Sequence, residues 1–127
     1  MPRQPAVLIA DDDDIFLSIT ELMVNTHGLS VMKARDGVEA VDLYRAHADD
    51  IACVMLDIHM PHMDGIMAFR HLRKLRQDLP VIIASGYLTD ANKEQLASLS
   101  PSGYLKKPLS HQALGDMLTE CLGQLAS

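Results

Sequence analysis

The sequence predicts an α/β fold, a doubly wound sandwich of five parallel strands with helices on both faces. Three observations lead there. Short apolar runs recur five times along the 127 residues, each brief enough for a strand buried on both faces. Between these runs the apolar residues return at helical spacing. Strand and helix alternate throughout, which implies parallel strands joined by right-handed crossovers.

Ala6-Val7-Leu8-Ile9-Ala10 is the first strand, and it stops at four consecutive aspartates, Asp11 to Asp14. Asp13 and Asp14 suit capping of the helix that follows. In that helix Ile15, Ile19, Leu22 and Met23 fall at helical spacing, and His27-Gly28 closes it. Residues 29–34 read as strand two and Arg35-Asp36-Gly37 as a turn. Val38, Val41 and Leu43-Tyr44 then place a second helix up to about Ala48. Strand three is Ile51-Ala52-Cys53-Val54-Met55-Leu56, ending on Asp57. Pro61 and Gly65 mark a tight loop after it. Asp64 caps a third helix with Ile66, Met67, Phe69, Leu72 and Leu75 inward. Arg70, Arg73, Lys74 and Arg76 are expected mostly outward, on a solvated face. Residues 80–84 form strand four, ending at Ser85-Gly86. A fourth helix over 89–99 has only a thin apolar stripe of Ala91, Leu96 and Leu99. Gly103-Tyr104-Leu105-Lys106 is the short fifth strand. Ser110 caps a last helix carrying Leu114, Met117, Leu118, Cys121 and Leu122.

Composition narrows the function. A hydrophobic share of 48% excludes disorder, and the length suits one domain, residues 1–127 with a core over about 6–125. The last helix is expected to run to the end of the chain, leaving no output domain. A formal net charge of −6 argues against nucleic-acid binding through overall charge. It suits a cytoplasmic protein able to hold cations. No apolar run approaches the roughly 18 residues of a membrane span, and no signal-peptide core is present. Cys53 and Cys121 lie in apolar segments without ligand spacing and are expected to be buried, reduced thiols.

In open α/β sheets, ligands gather beyond the carboxyl ends of the strands. Strand one ends at Asp11-Asp12, strand three at Asp57, strand four at Ser85 and strand five just before Lys107. Each alone has an ordinary explanation as a cap, turn or surface residue; their joint placement at four strand ends points to a site. Crowded carboxylates repel, and a hard divalent cation such as Mg²⁺ would relieve them. A metal beside a carboxylate, a hydroxyl and an ammonium is a receptor for a phosphoryl group. Asp57 would be the nucleophile that accepts it as an acyl phosphate. His59 and His62 form an HxxH pair, but a proline turn without a third ligand is a poor zinc site.

With those residues the sequence resembles the response-regulator receiver (CheY-like) domains of two-component phosphorelays. The resemblance is carried by residues 7–13, by Asp57 with Met60-Pro61 and Met63-Asp64-Gly65, by Ala84-Ser85-Gly86, and by Tyr104 to Pro108. It implies a flavodoxin-like sheet of order 2-1-3-4-5 flanked by five helices. Asp11, Asp12 and Asp57 would hold Mg²⁺ (Mn²⁺ substituting) together with the backbone carbonyl of His59. Asp57 would be the phosphoacceptor, Ser85 the switch hydroxyl, Tyr104 the switch aromatic and Lys107 the phosphate-contacting lysine, positioned by a cis bond to Pro108. His59 and Tyr87 would tune the lifetime of the phosphoryl group. The implied partners are a histidine kinase or histidine phosphotransfer protein as donor. A downstream partner or output domain would meet the face of helix four, strand five and helix five. The implied activity is signalling, with intrinsic phosphotransfer and slow autodephosphorylation rather than turnover. Two other classes share parts of this pattern. A haloacid-dehalogenase-like phosphohydrolase would share the Asp-x-Asp of residues 11–13, but its Thr/Val context and cap insertion are missing. A receiver that binds partners without phosphorylation would not need the complete acidic, hydroxyl and lysine set.

Overall fold

The five strands form where the apolar runs place them: β1 (Ala6–Ala10), β2 (Ser30–Ala34), β3 (Ile51–Leu56), β4 (Val81–Ser85) and β5 (Gly103–Lys106). They make one all-parallel sheet in the order β2-β1-β3-β4-β5. The computed structural model describes residues 4–123; the end of the expected core, at 124–125, and the run of the last helix to the chain end lie outside them. The helices are α1 (Asp14–Asn25), α2 (Gly37–His47), α3 (Gly65–Leu75), α4 (Asp90–Ala97) and α5 (His111–Leu122).

Strand alternation divides the core in two. Leu8, Val54, Leu56 and Ile83 face the layer that contains Phe69 and Leu72 of α3, Val41 and Tyr44 of α2 and Leu96 of α4. Val7, Ile9, Cys53, Met55 and Ile82 face Leu17 and Val24 of α1 and Leu114 and Leu118 of α5. Each fully buried side chain of this kind contributes roughly 1.5–3 kcal/mol. All five helices begin on a side-chain cap: Asp13, Asp36, Asp64, Thr89 (in a reciprocal box with Asn92) and Ser110.

Several expected faces turn out differently. In α1 the buried stripe is Leu17, Thr20 and Val24, with Phe16 and Met23 packed beside it. Ile15, Ile19 and Leu22 are 72%, 50% and 69% exposed. The helix carries two apolar stripes, and the sheet takes the other one. Met67 and Leu75 of α3 and Val38 of α2 are likewise exposed, and Ala91 of α4 faces out. Cys121 is only half-buried, while burial pushes the Cys53 thiol up; both are free. Arg73 is no solvated cation. Its guanidinium donates to the carbonyls of Leu79 (2.7 Å), Leu99 (2.9 Å) and Ser100 (2.9 Å) and lies over the Phe69 ring. It closes backbone groups at the start of β4 and just beyond α4.

Two glycines near strand ends make opposite demands. A Cβ at Gly65 would lie 1.9 Å from the Asp57 carbonyl oxygen, whereas one at Gly86 would meet nothing within 4 Å. Gly65→Ala should therefore lower urea stability by about 3 kcal/mol, the upper end for an overpacked site. Gly86→Ala should change it by less than about 0.5 kcal/mol.

Candidate functional site

Main-chain hydrogen bonds carry the sheet one residue past its strands and so place the acids. Asp11 N–H donates to Ala34 O at 3.0 Å, Asp57 N–H to Ala10 O at 3.0 Å, and Lys107 N–H to Ser85 O at 3.0 Å. Asp11 and Asp57 thus stand side by side at the ends of β1 and β3, where the strand order reverses. Asp12 follows Asp11 and is exposed. Carboxylate oxygens of Asp11, Asp12 and Asp57 lie within 4.8 Å of one another; among the described residues no other group of three or more potential ligands comes together.

Asp11 and Asp57 are both held by hydrogen bonds. Asp11 is buried; its Oδ1 accepts from Asp13 N–H at 2.9 Å and its Oδ2 from the Lys107 ammonium. Asp57 Oδ1 accepts from Ile58 N–H at 2.8 Å, and its Oδ2 lies 3.5 Å from Lys107 Nζ. Lys107 therefore bridges both acids, closer to Asp11, with its ammonium 4.3 Å from the Phe16 ring centroid. One ammonium does not balance three carboxylates. Burial pushes the Asp57 carboxyl up, opposed by the Lys107 charge, raised again by Asp11 and opposed by the Ile58 N–H. A hard-oxygen, negatively overcharged trio with two of its members buried fits a divalent cation of the Mg²⁺ type, and Lys107 leaves its excess charge uncompensated.

The remaining expected residues fall around this centre. Ser85 is buried at the end of β4, but its hydroxyl is engaged with the loop beyond: it donates to Tyr87 O at 3.0 Å and accepts from Tyr87 N–H at 3.3 Å. Tyr104 and Tyr87 are 44% and 74% exposed. They line a shared groove of about 360 Å³ with Leu88, Lys93 and Lys106. The Lys107-Pro108 bond is cis. His59 is exposed, and His62 turns away from it to Asp36, so the HxxH pair does not converge. Sequence reasoning missed three things: the Phe16 ring beside Lys107, the Lys107–Asp11 pair, and the outward apolar stripe of α1. The last had a signal, since Phe16, Met23 and Val24 offered α1 a second apolar register.

Comparison with known proteins gives a consistent outcome. A family model described as the response regulator receiver domain matches residues 7–119. The sensor kinase CckA of Brucella abortus is 33% identical over 91% of this chain, which spans 12% of that protein. The response regulator MprA of Mycobacterium sp. (strain KMS) is 34% identical over 85% of this chain, which spans 46% of it. The chain thus covers less than half the length of either relative. Among solved structures, the CheX-CheY-BeF3-Mg²⁺ complex of Borrelia burgdorferi contains a chain that matches with a TM-score of 0.84 at 27% identity, covering 91% of this chain and 87% of that one. The fold, the order of the strands and the acidic pocket at their switch point thus agree with the family match, and the chain belongs to the response-regulator receiver domains of two-component signalling.

Proposed function

We propose that Asp57 is the phosphoacceptor of this receiver domain and that Asp11, Asp12 and Asp57 hold the Mg²⁺ ion its phosphorylation requires, with Mn²⁺ able to substitute. One observation carries the reading: Asp57 ends β3 inside the carboxylate trio, with the Lys107 ammonium 3.5 Å from its free oxygen. In the transfer, an Asp57 carboxylate oxygen forms a bond to phosphorus as the donor's P–N bond breaks, giving an acyl phosphate. Lys107 is placed to meet a phosphoryl oxygen, and the Ile58 N–H fixes the other Asp57 oxygen. A divalent cation held by Asp11, Asp12 and Asp57 would neutralise the acids and the incoming phosphoryl oxygens. The His59 carbonyl is assigned to the same ion. Slow hydrolysis of the acyl phosphate resets the domain.

The donor is a histidine kinase or a histidine phosphotransfer protein, in the cytoplasm. The exposed α1 stripe of Ile15, Ile19 and Leu22 starts beside the acidic pocket and suits the docking of such a donor. The receiving side of the switch is Ser85. Drawn toward a phosphoryl group, its hydroxyl must give up Tyr87, which frees the loop and lets Tyr104 turn inward. The face of α4, β5 and α5 then changes shape for a downstream partner or output domain. Tyr87 and His59 are the residues that would set phosphoryl lifetime.

Incubation with acetyl phosphate and Mg²⁺ should add one phosphoryl group by intact mass in the wild type and none in Asp57→Asn; labelling that persists in the variant overturns the assignment. Tyr87→Ala should shorten the half-life of the phosphorylated form several-fold, read as phosphate release; an unchanged rate removes Tyr87 as a shield. The third expectation follows from charge. The folded-state pKa of Asp57 lies above its unfolded value. The stability it contributes therefore falls as pH rises from about 3.9 through the folded value, and the penalty persists above it. Without divalent cations at neutral pH, Asp57→Asn should be the more urea-resistant protein. The gap should close on acidification and on adding Mg²⁺, which at 100 times its Kd stabilises the wild type by about 2.7 kcal/mol.

A further inference from the structure

The loop between Asp57 and α3 contains a conformation that needs an explanation. His62 has φ +65°, and Met63 N–H donates to Pro61 O at 2.7 Å across it, forming a γ-turn centred on a non-glycine residue. Turns of this hand are rare and strained, and they persist where surrounding structure over-determines them. Here the restraints come from α2. His62 Nδ1 lies 2.9 Å from Asp36 Oδ2, while Asp36 Oδ1 caps α2 by accepting from Glu39 N–H at 2.8 Å. One residue on, Gly37 N–H donates to Met63 O at 2.9 Å, and a Cβ at Gly37 would approach that oxygen to 2.5 Å. The loop neck is closed by Gly65 N–H donating to Ile58 O at 2.8 Å. The Glu39 N–H, then His62, hold the Asp36 carboxyl below the usual carboxylate range. Both sides of the turn are thus fastened to one helix N-terminus, and the loop between that clasp and Asp57 is only four residues long, 58–61.

We propose that His62 is a positioning residue for the phosphorylation site: its hydrogen bond with Asp36 holds the γ-turn in place, and so fixes the backbone beyond Asp57 that would supply the His59 carbonyl to the cation. The metal arm of this proposal rests on the Mg²⁺ reading above; the clasp itself does not. His62 does not touch the acids. It acts through the loop, in the manner of groups outside a metal's ligand set that orient the ligands.

The experiment measures two things in the full chain. Amide hydrogen exchange at Gly37 and Met63, without metal, reports the clasp. Mg²⁺ affinity by calorimetry reports its effect on the site. Because the His62 side chain is 73% exposed, the pair is worth only a modest factor. His62→Ala should speed exchange at both amides and weaken Mg²⁺ binding by roughly threefold to fivefold. Asp36→Asn should do the same, and the double variant should be no weaker than either single one. His62→Gly adopts the left-handed conformation without steric cost and should recover most of the Mg²⁺ affinity lost in His62→Ala. Unchanged amide exchange in His62→Ala overturns the clasp. Faster exchange with unchanged Mg²⁺ affinity, or no recovery in His62→Gly, overturns its link to the site. A wild type that binds no Mg²⁺ overturns the metal reading and the metal arm with it, while the exchange result still decides the clasp.

Discussion

The structure depends on holding like charges together. Asp11 and Asp57 occupy adjacent strand ends because parallel pairing of β1 with β3 leaves them no alternative, and Asp12 completes the group. Nothing about folding favours this crowding; isolated ionised carboxylates avoid one another and avoid burial. The rest of the molecule is arranged to tolerate it. Asp11 is compensated by a backbone N–H and by Lys107, whose ammonium lies over the Phe16 ring, and Asp57 retains a single N–H and a more distant ammonium. This asymmetry separates the roles. Asp11, with the closer ammonium, is fixed in the wall, and Asp57, left short of compensation, is the acid proposed above as the phosphoacceptor.

Such tolerance requires a rigid frame. β1, β3 and β4 are buried along nearly their whole length, with apolar layers on both faces, so the strand ends cannot splay to relieve repulsion. Gly65 lets the start of α3 press directly on the Asp57 carbonyl, which further restricts the acid's backbone.

The strands and the chemistry-bearing strand ends were legible in the sequence because buried parallel strands read as uninterrupted apolar runs and the functional groups sit at their borders. Helix faces were less legible. In α1, Ile15, Ile19 and Leu22 make as good a stripe as Leu17, Thr20 and Val24, and only the position of the sheet decides between them. The exposed stripe looks like core in one dimension because apolar residues at helical spacing read the same whichever way they face. Long-range polar contacts left no trace either. Arg73 reads as one more cation in a basic run, yet it is bound to the carbonyl of Leu79 and to those of Leu99 and Ser100 far along the chain. The Asp36–His62 pair joins residues 26 apart whose types carry no joint signal.

Arg73 has a mechanical consequence. α4 is short and buries only Leu96, so little apolar surface holds it to the sheet. Its carboxyl-terminal side is nevertheless tied down, because Leu99 and Ser100 are bound to the guanidinium that also holds Leu79. Its amino-terminal side connects through Leu88 to the Tyr87 that Ser85 grips. An element anchored at one end and loosely seated along its length does not detach when its free end is pulled; it rotates. In the proposed switch, Arg73 would be the fulcrum of a lever whose short input is the Ser85–Tyr87 turn and whose output is the outer surface of α4.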